Sequence, residues 1–205
     1  MNLRWRNDLT AVICATLLLA CATGRAEVPR SYHLSERADL KGWHVISGDW
    51  RAAEGIITGR STDGIALLVS DRTFSDLELE AEVSVAADTR GSIFVRGHVL
   101  PVLPLPDGAD PNTAPKKAYG FEVAVQSSQS ATSTEFSSDS CDHGFALSIP
   151  NALGPEWRTV KLDAERDRGT IELGVPQGTK WSAGFQTDYL GGHIVLVVAP
   201  SEDGG

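Results

Sequence analysis

The sequence predicts an all-β protein, an antiparallel β-sandwich of the jelly-roll kind. Three observations predict it. Apolar and polar residues alternate at period two along most of the chain, helical periodicity is nearly absent, and Gly-containing turn signals separate the runs. Strands do not alternate with helical stretches, which argues against a parallel α/β fold. A length of 205 residues suits one domain with a full core.

The first twenty residues stand apart. Arg4 and Arg6 give a positive n-region, and Leu9 to Ala20 form an uncharged apolar stretch. A bilayer span needs about 20 apolar residues, so this stretch reads as the h-region of a signal peptide. Leu18-Leu19-Ala20-Cys21 resembles a bacterial lipobox, in which a peptidase cuts before Cys21 and the thiol carries diacylglycerol. The alternative is ordinary secretion with cleavage after Gly24-Arg25-Ala26. The expected organisation is a leader over 1–20, a linker over 21–30, one sandwich domain over 31–199 and a tail over 200–205. The expected location is extracytoplasmic, in the periplasm or at the cell surface, with the membrane met only through the lipid.

The clearest strand is Asp76 to Val85. Leu77, Leu79, Ala81, Val83 and Val85 face one way, and Asp76, Glu78, Glu80, Glu82 and Ser84 the other. This is a half-buried strand whose acidic row is a solvated face. Further strands are expected at Trp43–Ser47, 55–58, 65–70, 92–96, 119–126, 145–149, 157–163, 170–174 and 193–198. Glu54-Gly55, Asp63-Gly64, Arg90-Gly91 and Arg168-Gly169 are the turn signals. Residues 98–118 hold five of the ten prolines and read as a long loop, its Val99, Leu100, Val102, Leu103 and Leu105 packing over a sheet. Residues 127–140 are Ser/Thr-rich and read as a second loop. Trp43, Trp50 and Trp157 are expected in the core or at its rim, whereas Trp181, in a loop-rich segment, is placed to stack on a sugar.

Charge and motifs narrow the function. Eighteen Lys and Arg against 27 Asp and Glu give a net charge of −9, with Lys116-Lys117 the only adjacent basic pair, which argues against nucleic acid. Three cysteines make no disulfide framework. There is no Gly-x-Ser-x-Gly elbow and no phosphate loop. No cofactor is expected. No His, Asp and Glu spacing forms a compact metal motif, and a divalent metal assembled from distant strands stays open. The sequence does not speak to oligomeric state.

The order of segments resembles the 3-keto-disaccharide hydrolase family, also described as a 3-keto-glucoside lyase and glycal hydratase domain. The residues that carry this are Tyr32 to Trp43, Trp50 with Glu54-Gly55-Ile56-Ile57, Leu67 to Leu79, Ser92-Ile-Phe-Val-Arg96, Tyr119-Gly120-Phe121-Glu122-Val123, His143 to Leu147, Gly154-Pro155-Glu156-Trp157 and Gly192 to Leu196. The resemblance implies a sandwich of the concanavalin/laminin-G type and a small carbohydrate as substrate or ligand. Departures are Arg90-Gly91-Ser92 where the family has Asn-Ser-Gly, Ala124 and Val197 where it has Gln, and Arg158 where it has Asn. The family's closing strand has no counterpart before Pro200 to Gly205, which would expose a sheet edge and opens a third reading beside the two below, a truncated and poorly folding product.

Along Tyr119–Gln126 the odd positions form a core face, and Gly120, Glu122, Ala124 and Gln126 form a second face with room for a ligand. On residues 92–96, Ser92, Phe94 and Arg96 oppose Ile93 and Val95. If these strands pair, as the resemblance implies, Arg96 and Glu122 lie side by side. That juxtaposition is either a plain cross-strand ion pair or a sugar site. In the second case Glu122 is the base for a C2 proton acidified by a C3 ketone, and Arg96 stabilises the enolate. His143 is a second acid/base candidate or a turn residue. Gln126, Tyr119, Trp181 and His98 are the candidate substrate contacts. Two functions follow: an exported enzyme cleaving 3-keto-glycosides by elimination and hydration, or a non-catalytic carbohydrate-binding module on the same sandwich.

Overall fold

The structure, a computed structural model, describes residues 2–4, 34, 39–62, 64–87, 89–102, 108, 110–128, 135–137, 144–150, 157–174 and 180–200. Among the described residues it builds two seven-stranded sheets and no helix. Sheet A contains β1 (Asn2–Arg4), β3 (Asp49–Ala53), β4 (Ile56–Arg60), β6 (Leu77–Ser84), β11 (Arg158–Glu165), β12 (Arg168–Gly174) and β13 (Lys180–Gln186). Its spatial order is β13-β12-β11-β6-β1-β4-β3. Sheet B contains β2 (Trp43–Ser47), β5 (Ala66–Phe74), β7 (Thr89–Pro101), β8 (Lys116–Ser128), β9 (Glu135–Ser137), β10 (Gly144–Pro150) and β14 (Gly192–Pro200). Its order is β2-β5-β14-β7-β8-β10-β9. Among the described residues every strand pair is antiparallel except β8 with β10. This is the all-β sandwich that the alternation predicts.

The core lies between the sheets. From sheet A come Ile57, Leu79, Ala81, Val83, Val160, Leu162, Ile171 and Leu173; from sheet B come Leu68, Ile93, Val95, Phe121, Val123, Ile194 and Leu196. These are alternate positions on their strands, so the alternation marks the face each strand turns to the core. Trp43 and Trp50 are buried and donate their indole N–H groups to the carbonyls of Leu34 and Ser47, at 2.7 and 2.9 Å. Trp157 sits at the rim, 38% exposed. The acidic row of β6 is on the outer side, with Glu78 and Glu80 exposed and Glu80 paired to Lys161 at 3.1 Å.

The turn signals divide. Glu54 and Gly55 both have positive φ, 51° and 76°, the two-residue hairpin geometry that joins β3 to β4. Arg90-Gly91 and Arg168-Gly169 instead lie inside β7 and β12. The turn expected at Arg168-Gly169 is two residues earlier, at Arg166-Asp167, between the paired Glu165 and Arg168.

Two loops are shorter than the sequence predicts. β7 runs on to Pro101 and β8 starts at Lys116, because Val99 and Leu100 pair with Ala118 and Lys117 beyond an irregularity in β7. Pro111 and Pro115 fall outside that ladder, while Pro101 is the last residue of β7. The Ser/Thr-rich stretch begins inside β8 and contains β9, which pairs with β10. Trp181 is not in a loop but in β13, where it pairs with Leu173.

Candidate functional site

The outer face of sheet B carries the candidate site. Ile93 and Val95 of β7 and Phe121, Val123 and Val125 of β8 point into the core. Arg90, Ser92 and Phe94 therefore face outward beside Gln126, Ala124 and Glu122, with which they are in register. Small residues hold the next positions: Gly144 and Ala146 of β10 are in register with Glu122 and Ala124. On the other flank, Phe94 joins Leu67, Val69, Val195 and Val197 in a second apolar cluster, separate from the core. Polar residues thus gather around Glu122 on β7 and β8, beside an apolar cluster that runs from β5 and β14 to Phe94 and Ala118.

Glu122 is held asymmetrically. Arg90 Nη2 donates to its Oε1 at 2.8 Å, and Ser92 Oγ donates to the same oxygen at 2.6 Å. The Glu122 and Arg90 side chains are 13% and 16% exposed, and Ser92 is buried. No other described residue donates to Glu122, so Oε2 keeps its lone pairs. Two donors on one oxygen orient the carboxylate.

Arg96 does not lie beside Glu122. A β-bulge between Val95 and His98 inserts one extra residue, and Arg96 takes φ of 53° there. The alternation that puts Ser92 and Phe94 outward fails at that step, and Arg90 stands where Arg96 was expected. The Arg96 side chain, fully buried, reaches one end of the sandwich. Its Nε donates to Ser75 O at 2.5 Å, and its Nη1 donates to Arg166 O and to Tyr189 O, the latter at 3.0 Å. Nη2 lies 3.5 Å from Asp76 Oδ1. One guanidinium thus ties together the turn before β6, the turn after β11 and the connection into β14. Gly192 completes the packing: a Cβ there would stand 2.5 Å from the Arg96 carbonyl.

The remaining candidates divide. Gln126 shares the face of Glu122. His98 and Tyr119 pair with each other past the bulge, on the opposite side of the sheet from Glu122. His98 Nε2 donates to Gly191 O at 3.0 Å, and Lys117 Nζ stands 5.9 Å from the centre of the Tyr119 ring. Trp181 belongs to sheet A and so is in the other layer. His143 and Cys21 lie outside the described residues. Among the described residues no three His, Cys, Asp or Glu gather as a group that could hold a metal ion. Sequence reasoning missed Arg90, reading Arg90-Gly91 as a turn; its even spacing with Ser92 and Phe94 was the available signal.

Comparison with known proteins gives a family and two similar structures. The profile of the 3-keto-alpha-glucoside-1,2-lyase-like domain matches residues 33–182. Among solved structures, the carbohydrate-binding module CBM66 from Bacillus subtilis is similar at 17% identity and a TM-score of 0.44, over 78% of this chain and 92% of that one. A candidate glycosyl hydrolase from Parabacteroides distasonis is similar at 13% identity and a TM-score of 0.44, over 80% and 88%. No curated protein matches.

Proposed function

The chain belongs to the 3-keto-α-glucoside-1,2-lyase-like family, and on that premise we propose that it cleaves 3-keto-glycosides, with Glu122 as the base. The observation that carries this is the carboxylate of Glu122, anchored through Oε1 by Arg90 and Ser92 while no described residue donates to Oε2. A C3 ketone acidifies the proton on C2. Glu122 Oε2 takes that proton, and the electron pair passes to the C3 oxygen as an enolate. Collapse of the enolate re-forms the C3 ketone, makes the C1–C2 double bond and expels the substituent on C1, which leaves with the proton that Glu122 took. Water then adds to C1 while C2 regains a proton, so the net change is hydrolysis.

Arg90 and Ser92 are positioning residues: they hold the carboxylate and act on substrate through it. Gln126, opposite Arg90, offers an amide to a sugar hydroxyl. The proposal extends to location: with the expected leader removed and Cys21 lipidated, the activity works outside the cytoplasm, on a lipid anchor.

The test is NMR of the full chain with a 3-keto-disaccharide, following release of 3-keto-glucose, with Glu122→Gln alongside. Turnover that falls at least about 100-fold in the variant supports the assignment. Turnover unchanged in the variant refutes Glu122. Saturable binding without turnover by the folded wild type refutes catalysis and leaves a carbohydrate-binding module.

A further inference from the structure

Sheet A is continuous through three residues. β4 and β6 do not pair with each other; both pair with β1. Asn2, Leu3 and Arg4 are in antiparallel register with Thr58, Ile57 and Ile56 on one side, and with Ser84, Val83 and Glu82 on the other. Strands in a sheet lie about 4.8 Å apart, so without β1 a gap of about 10 Å would separate β4 from β6, too wide for a backbone hydrogen bond. Ile57 and Val83, each 1% exposed, flank that gap and would be brought near water. The facing backbone groups of both strands would lose their partners.

We propose that the β4–β6 gap is a strand-accepting site that recognises an extended antiparallel backbone, and that its occupant is the chain's own segment 2–4. Recognition is through main-chain groups on both flanks, as in strand addition at a sheet edge but with two edges engaged at once. The same residues are the expected n-region of the leader. Docking as β1 and service as a leader are thus competing fates of one segment. A chain cut before Cys21 or after Ala26 has the gap open and accepts the segment from outside.

Hydrogen exchange of the full chain tests this, read in peptides spanning 56–60 and 77–84. Leu3→Pro removes a main-chain donor and strains the strand, so exchange in both peptides is expected to rise at least about 100-fold. Added synthetic peptide of residues 1–8 is expected to restore protection in both, and a scrambled peptide to restore neither. A rise on one side only, no rise, or no restoration by the peptide overturns the proposal. Should Leu3→Pro fail to fold, the full chain with Asn2→Cys and Thr58→Cys, its native cysteines changed to Ser, decides. An intramolecular disulfide joining the two introduced thiols in the folded monomer is expected, and its absence overturns the docking of β1.

Discussion

Replacing Arg96 with Met separates a clamp from a catalytic group. Methionine keeps most of the aliphatic stem and deletes the guanidinium, so the carbonyls of Ser75, Arg166 and Tyr189 all lose their donor. A carbonyl stranded in this way costs about 1–3 kcal/mol. The low end applies because the end of the sandwich is close to water, as the 60% exposure of the Asp76 side chain shows. Three carbonyls at the low end give about 3 kcal/mol. In a domain of this size that lowers Tm by about 6–12 °C. Arg96→Lys keeps the charge but cannot reach three acceptors in a fork, and is expected to lose roughly half as much. Thermal unfolding followed by circular dichroism reads both. A Tm unchanged within about 2 °C, together with loss of turnover, would refute the clamp and put Arg96 in the chemistry.

Three further outcomes follow. Ser92→Ala removes one of the two donors on Glu122 Oε1, and kcat/KM is expected to fall about 10-fold with Tm nearly unchanged, measured by steady-state kinetics and melting of the same sample. His98→Ala is expected to change sugar affinity by less than about twofold in calorimetric titration, because His98 bonds Gly191 O on the other side of the sheet from Glu122. Gly192→Ala would put a Cβ 2.5 Å from the Arg96 carbonyl, and is expected to destabilise by about 2 kcal/mol or more in urea unfolding.

The strands that build the core were legible because burial on one face leaves a period-two trace. β6 is the plainest case, and β2 spans the residues that the alternation marks. The sequence reading missed β13 although Trp181, Ala183 and Phe185 alternate, because the surrounding Gly and Ser residues read as loop. It missed β1 because two arginines and an apolar run point to a leader, and three residues carry no periodicity. The site was half legible. Glu122 and Gln126 sit on the face that alternation assigns them. Arg96 does not, because a bulge is a single inserted residue, and nothing in Ser92-Ile-Phe-Val-Arg96 marks where the count slips. The clamp also depends on turns more than sixty residues away in sequence, at Arg166 and Tyr189, which no local pattern encodes.

Deuterium at C2 tests the central claim most directly. The full chain is incubated with a 3-keto-disaccharide in D2O, and the released 3-keto-glucose is examined by NMR and mass spectrometry. Proton abstraction by Glu122 followed by hydration predicts one deuterium at C2 of the product, with both deuteration and release lost in Glu122→Gln. Product released with its C2 proton intact would contradict elimination, and deuterated product formed at the wild-type rate by Glu122→Gln would contradict the base.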